Sequence, residues 1–217
     1  MRYSSRLMEH IVSGVGVLDK SCALLAVVAQ GPCTLADLSE RTAVSRATTH
    51  RLVVALEQHG MLRRTGDGRV ALGLHLVGLG RAAAQQFPLA DAAADALAGL
   101  RDRTGESVQL YVRDGGERVC VAALESPHGL RTIVPVGAVL PMDRGSAGRV
   151  LAGETGDDGW VQTVEEREPG VASVSAPVRR DGRVVAAISV SGPVERMGTS
   201  PGDRHGAAVT AAAARIR

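Results

Sequence analysis

Aromatic side chains are nearly missing from this 217-residue chain, which carries one Trp, two Tyr and one Phe, 2% of its residues. Any core must therefore be built from Ala, Val and Leu within a hydrophobic fraction of 45%, and base stacking on aromatic platforms, the usual route to single-strand binding, is disfavoured. Asparagine is absent, which removes the bidentate Asn–adenine contact from any DNA-reading surface. Lys20 is the single lysine beside abundant arginine, a bias we assign to a GC-rich genome rather than to chemistry. There are three cysteines, Cys22, Cys33 and Cys120, an odd number with no CxxC or Cys/His ligand spacing. Reduced, mostly buried thiols are expected, with no zinc site, no other metal and no cofactor. No apolar run reaches the length of a membrane span and MRYSSRLMEH lacks an apolar signal core, so the expectation is a cytoplasmic protein with no membrane partner.

What is present is most informative between Thr34 and Gly73. In TLADLSERT, Thr34 suits a helix N-cap and Asp37 stands three residues on, where a capping-box carboxylate sits. Leu35 and Leu38 share a face, Ala43 and Val44 fill a turn, and Ser45 is a second N-cap before RATTHRLVVALEQHG. Two capped helices thus meet across a three- to four-residue turn. The second is polar at its start and apolar after Arg51, and Gly60 ends it as a C′ glycine. In a helix-turn-helix the start of the second helix enters the major groove, where arginine suits guanine and threonine reaches bases or phosphate.

MLRRTGDGRVALG then places Leu62 and Val70 to Leu72 on either side of Gly66-Asp67-Gly68, the pattern of a two-stranded wing. Residues 1–72 hold nine basic and six acidic side chains, an excess of three in a chain whose net charge is +2. The residues assigned to DNA are Thr34, Ser45, Arg46, Thr48, Thr49, His50 and Arg51 around the second helix, and Arg63, Arg64 and Arg69 on the wing. The competing reading, a solvated helix pair in an ordinary α/β domain, is weakened by the three wing arginines.

The runs GVGVLDKSCALLAVVAQ and TLADLSERTAVSRATTHRLVVALEQHGML, the wing ending in LG, GLHLVGLG, GESVQLYVRDGGERVCVAALESPHGLRTIVPVGAVLPM and EREPGVASVSAPVRRDGRVVAAISVSGPVER together resemble the IclR family of bacterial transcriptional regulators. The likeness covers most of the chain from about Gly14 onward and is nearest to actinobacterial members that control amino-acid biosynthesis, leucine in particular. It implies an α+β protein: a winged helix-turn-helix domain over 12–73, a linker helix over 74–87 and a GAF-like effector-binding domain over 88–217. Leu74, Val77, Gly78 and Arg81 lie at helical spacing before Pro88. Pattern alone fits equally a helix packed on its own domain. The resemblance makes it a linker in a homodimer or dimer of dimers on a double-stranded operator.

From Leu89 the pattern predicts a helix to Arg103, strands Val108–Val112, Arg118–Leu124 and Leu130–Pro135, a helical stretch Ser146–Ala152, a hairpin of Ala172–Val178 and Val184–Val190 across Arg180-Asp181-Gly182, and a helix from Gly202 to Arg217. Ser173 and Ser175 alternate with Val174, and Ser189 and Ser191 with Val190, so each pair presents hydroxyls to one face. That face suits a pocket or an exposed side of a sheet equally well. Gly145, Ser146 and Ala147 precede a helix whose N–H groups suit a carboxylate. The resemblance implies effector contacts at Gly129, Thr132, Ser146, Ala147, Ser173, Ser189 and Ser191, with an amino acid or small organic acid as ligand. One departure stands out. The family usually inserts a further helix and loop between Leu151-Ala152 and Gly159-Trp160, where this chain has only Gly153 to Asp158.

Two rivals belong to other classes. Cys120, Glu125 and His128 stand close in sequence as an imaginable nucleophile, orienter and base, yet Cys120 sits mid-strand and neither a phosphate loop nor a nucleophile elbow occurs. No catalytic residue is assigned. The other rival is a ligand-binding module that no longer reads DNA.

Overall fold

The computed structural model describes residues 13–86 and 88–216, which fall into two compact units divided after Gln86. Residues 12, 87 and 217, the outer bounds expected for the first domain, the linker and the last helix, lie outside the described residues.

The first unit runs α1 (Gly16–Val28), α2 (Leu35–Thr42), α3 (Arg46–Gln58), β1 (Leu62–Arg64), β2 (Val70–Leu72) and α4 (His75–Gln85). Leu24, Val27 and Val28 of α1, Leu38 of α2, Val53 and Leu56 of α3, and Leu62 and Val70 of the strands close one core. The caps act as their residue types demand. Thr34 Oγ1 accepts from the Asp37 amide at 3.1 Å, and the Thr34 amide donates to Asp37 Oδ2 at 2.9 Å. Ala43 takes the left-handed conformation after α2, and Ser45 caps α3 by accepting from the Thr48 amide. β1 and β2 pair antiparallel from Leu62↔Leu72 to Arg64↔Val70, and Cys33 bridges to Val70, tying the α1–α2 connection to the wing.

The capping box carries a pH dependence. Hydrogen bonds from Thr34 hold the Asp37 carboxyl below the ordinary aspartate range. A carboxyl depressed in the folded state contributes stability that is present above its unfolded pKa and is lost as pH falls through the folded one. The stability difference between the native chain and Asp37→Ala should therefore be full at neutral pH and shrink in acid. A difference that stays constant on acid titration, followed by circular dichroism, would remove the carboxylate from the cap.

The second unit contains α5 (Leu89–Ala92), α6 (Ala94–Thr104), β3 (Ser107–Asp114), β4 (Glu117–Leu124), β5 (Val139–Pro141), α7 (Ser146–Leu151), β6 (Val161–Val164), β7 (Val171–Arg180), β8 (Arg183–Pro193), α8 (Val194–Met197) and α9 (Pro201–Arg215). Six strands form one antiparallel sheet in the order β5-β4-β3-β8-β7-β6. Because strand side chains alternate, the two faces differ. Ala172, Val174 and Ala176 of β7 with Ile188 and Val190 of β8 pack beneath α6 and α9 through Leu97, Leu100, Val209 and Ala212. The opposite face meets α7, where Tyr111, Cys120, Val150, Leu151 and Ala187 form a smaller core. Asp181 and Gly182 both have positive φ, the conformation a two-residue hairpin needs, and they join β7 to β8.

Two expectations are corrected. The helix from Leu89 is two helices broken at Ala93. Leu130–Pro135 is not a strand: Thr132 and Val134 are buried while Ile133 and Pro135 are exposed, which imitates strand alternation. The free edge of β4 is instead taken by β5, with Ala138 and Gly137 bonding to Cys120. β5 and β6, the edge strands at the two ends of the sheet, were not anticipated.

Trp160, the only tryptophan, rests against the first turns of α9. A Cβ added at Gly202 would fall 2.0 Å from its ring, and one at Gly206 2.4 Å from Nε1. Two glycines four residues apart thus give the ring a flat seat on the helix.

Candidate nucleic-acid interface and sensor face

The start of α3 projects from the first unit while its other stripe is buried. Arg46, His50 and Arg51 are exposed and Thr48 is half-buried; Thr49, Val53 and Leu56, spaced four and three apart, face the core. Among the described residues neither Arg46, Arg51 nor Arg63 has an ion-pair partner. Their guanidinium groups are free for an external acceptor.

Thr49 is a correction. It is 0% exposed, and its hydroxyl donates to the Val44 carbonyl at 3.3 Å, which pins α3 to the turn rather than facing a base. Thr49→Val should cost about 1 kcal/mol of stability and leave operator sequence preference unchanged. A changed preference in a binding-site selection would return Thr49 to the DNA surface.

Other assigned residues are already engaged within the chain. The Thr34 hydroxyl caps α2, and the Ser45 hydroxyl caps α3 and donates to Thr48 Oγ1 at 3.0 Å. Arg64 donates to Glu57 Oε1 at 2.8 Å and to the Gly68 carbonyl at 3.2 Å, bracing the wing on α3. Arg69 reaches Asp67 and the Pro32 carbonyl at 3.4 Å each. The side chains left free are Arg46, His50, Arg51 and Arg63, with Thr48 partly so.

On the α7 face of the second unit, hydroxyls gather into a buried cluster. Ser173 and Ser191 are cross-strand partners, as are Ser175 and Ser189. Ser146 Oγ lies 2.8 Å from Ser173 Oγ and 2.7 Å from Ser175 Oγ, and Thr163 Oγ1 is 3.0 Å from Ser173 Oγ. Ser191 donates to Gln109 Oε1 at 3.0 Å. Ser146, Ser175, Ser189 and Ser191 are buried and Ser173 is half-buried, so the reading of a solvent-exposed serine face does not hold. Ala147 and Thr132 are also buried, whereas Gly129 is exposed and its carbonyl accepts from Arg131. None of the cluster's hydroxyl bonds reaches Gly129 or Thr132. Thr163 and Gln109 were missed; Thr163 sits on the unanticipated β6, and Gln109 shows itself only through its register opposite Ser189.

The carboxylate position expected before α7 is filled from within. The Gly145 amide donates to Glu166 Oε1 at 3.1 Å and the Ser146 amide to Thr163 Oγ1 at 3.1 Å, while Arg149 pairs with Glu166 at 2.9 Å. Beneath α7 lies Arg118, 2% exposed, donating to the Pro141 carbonyl and to the Arg144 carbonyl at 2.8 Å, with its guanidinium 5.5 Å from the Tyr111 ring centroid. Burial pushes its pKa down from the ordinary arginine value.

Cys120, Glu125 and His128 do not converge. Cys120 is in the α7-side core with its thiol pushed up to about 12 by burial, Glu125 pairs with Arg131 at 2.6 Å, and His128 lines a cleft with Arg103 and His205. Among the described residues no group of three His, Cys, Asp or Glu side chains could hold a metal ion, and no helix is long and apolar enough to cross a membrane.

Residues 17–66 match the IclR helix-turn-helix domain, and residues 81–156 and 152–217 match the bacterial transcriptional regulator IclR C-terminal model. The two pieces meet where the chain is shorter than the resemblance leads one to expect. The chain is 31% identical over 133 residues to the HTH-type transcriptional regulator KipR of Bacillus subtilis, covering 61% of this chain and 53% of that protein. It is 25% identical to the transcriptional repressor IclR of Escherichia coli, covering 92% of this chain and 88% of that one. Among solved structures, an IclR homolog complexed with 4-hydroxybenzoate from Microbacterium hydrocarbonoxydans has a TM-score of 0.78 at 23% identity, covering 92% and 97% of the two chains.

Proposed function

The chain belongs to the IclR family of bacterial transcriptional regulators, and from that premise we propose that it acts as a homodimeric repressor that lays its two α3 helices in major grooves of a pseudo-palindromic operator. It is a DNA-binding regulator and not an enzyme. The observation that carries the operator reading is the set Arg46, Thr48, His50 and Arg51 at the front of α3, with the two arginines free of ion pairs and the helix fixed from behind by Thr49 and Ser45. Two-fold symmetry in the protein then sets two half-sites in the DNA.

Exposed apolar residues support the dimer. Val15, Val17 and Leu18 at α1, with Leu74, Val77 and Leu79 at α4, leave large side chains in water, Leu74 at 77% exposure. We assign residues 12–73 to DNA reading, 74–87 to the linker and 88–217 to sensing, in the cytoplasm where the operator is. The buried hydroxyl cluster around Ser146 supports a small polar effector, an amino acid or small organic acid, with genes of amino-acid biosynthesis, leucine in particular, as the regulon. Such a ligand has to exchange for the internal hydrogen bonds among Ser146, Ser173, Ser175 and Thr163.

The test is a titration of the purified protein against its own upstream DNA and a scrambled duplex, over a salt series, with and without branched-chain amino acids. Selective binding with a steep salt slope supports the operator reading, and a shift with leucine supports the effector reading. Binding that ignores sequence in both duplexes counts against the operator reading for that DNA, and no binding at all favours the ligand-binding module.

A further inference from the structure

The cleft that His128 lines with Arg103 and His205 lies in the second unit and shares no residue with the hydroxyl cluster. It is an open groove of about 470 Å³, lined by Arg103 and Thr104 at the end of α6, Glu106 before β3, His128 on the β4–β5 connection, Glu195 and Arg196 on α8, and Arg204 and His205 on α9. α6 and α9 pack on the sheet face opposite α7, and no residue of this cleft belongs to the Ser146 cluster. The volume is that of a small-molecule site.

The lining carries three arginines against two glutamates. Glu106, 3% exposed, is held bidentate by Arg196 at 2.6 and 2.8 Å, and Arg196 also donates to the Leu130 carbonyl at 2.8 Å. This pair forms a neutralised floor. Of the other two arginines of the lining, among the described residues Arg103 has no ion-pair partner and Arg204 is hydrogen-bonded to the Arg196 carbonyl alone. His128 and His205 add two imidazoles, so the single acid not already paired is the exposed Glu195. Burial and then the neighbouring Arg204 hold the His205 imidazole below its usual range, with Glu106 opposing them. The lining contains no aliphatic side chain and no phenyl or indole ring, so an aromatic or branched aliphatic acid finds no apolar wall here.

We propose that this cleft binds the phosphate group of a small hydroxylated phosphate monoester, with Arg103 and Arg204 as its principal charge partners and His128 and His205 as hydrogen-bond donors. Two guanidinium forks match the oxygens of a tetrahedral dianion better than a single carboxylate, which one fork satisfies. Glu106 and Arg196 set the floor and fix the loop bearing Leu130. The regulator thereby gains an input separate from any ligand of the hydroxyl cluster.

The experiment uses the full chain and calorimetric titration with ribose 5-phosphate, inorganic phosphate, ribose and acetate, repeated on Arg103→Ala, Arg204→Ala and, as control, Arg180→Ala on the distant β7–β8 hairpin. Saturable binding of ribose 5-phosphate, weaker binding of phosphate and none of ribose or acetate are expected. Arg103→Ala and Arg204→Ala should each weaken it at least tenfold, while their melting temperatures without ligand match the native chain and Arg180→Ala binds normally. Phosphate binding that both cleft variants retain would place the anion on the DNA-reading arginines and overturn the proposal. So would an equal response to acetate, or no saturable response in the native chain. Should a variant melt early, imidazole signals of His128 and His205 in the native chain decide: they shift with ribose 5-phosphate if the proposal holds and stay fixed if it fails.

Discussion

Replacing Arg46 or Arg51 with alanine is expected to weaken cognate operator binding by about 5- to 150-fold, or roughly 1–3 kcal/mol, with relaxed preference at one base pair per half-site. The size follows from position. Both side chains are exposed at the front of a helix whose back is locked, and neither spends its charge on an acid within the described chain. Arg63→Ala, on the wing, should instead weaken all sequences alike and lower the salt slope by about one. Arg64→Ala should act mainly through the wing, because Arg64 is bound to Glu57 and Gly68. Operator affinity unchanged by Arg46→Ala and Arg51→Ala together, in a protein that still melts cooperatively, would remove α3 from the reading surface.

A large stability effect is expected for Gly148→Ala, near 3 kcal/mol, at the upper end of what overpacking usually costs. A Cβ at Gly148 would lie 2.3 Å from the Met142 carbonyl oxygen and 2.5 Å from Arg118 Nη1. Neither neighbour yields cheaply. Met142 presents backbone, and Arg118 is held by the Pro141 and Arg144 carbonyls in a site that excludes water. The alternative to a clash is for α7 to lift from the sheet, which breaks the Ser146 contacts to Ser173 and Ser175 as well. Denaturant unfolding measures the loss directly. A change below about 0.5 kcal/mol, the range of surface substitutions, would mean that α7 is not clamped as described.

The first unit was legible in the sequence because its determinants are local. Thr34, Asp37 and Ser45 announce two helix starts, and Gly66 to Gly68 announces the wing turn. What local pattern did not weigh was engagement within the fold. Thr49 is polar and sits in a polar stretch, yet its spacing to Val53 and Leu56 already put it on the buried stripe. Arg64 and Arg69 count as wing charges in sequence, while their partners Glu57 and Pro32 become neighbours only on folding.

The second unit was legible where turns are strong, as at Asp181-Gly182, and illegible where pairing is remote. β5 and β6 are three and four residues long and owe their existence to β4 and β7 rather than to their own composition. The alternation of the serines told that they share a face but not which way it points. That is decided by α7, whose Ser146 closes over them. Glu166, which occupies the turn before α7, carries no motif at all; its role arises from the fold bringing the β6–β7 connection to Gly145.

The seat of Trp160 on Gly202 and Gly206 gives the protein an intrinsic optical reporter. The indole is the sole one in the chain and is half-buried beside the short 153–156 segment, so its emission reads one place only. Separation of α9 from the sheet would move the ring into water and shift its fluorescence to the red. The sensing unit can therefore be followed through unfolding, or through ligand titration, without a label and without interference from the first unit, in which the described residues contain no tryptophan.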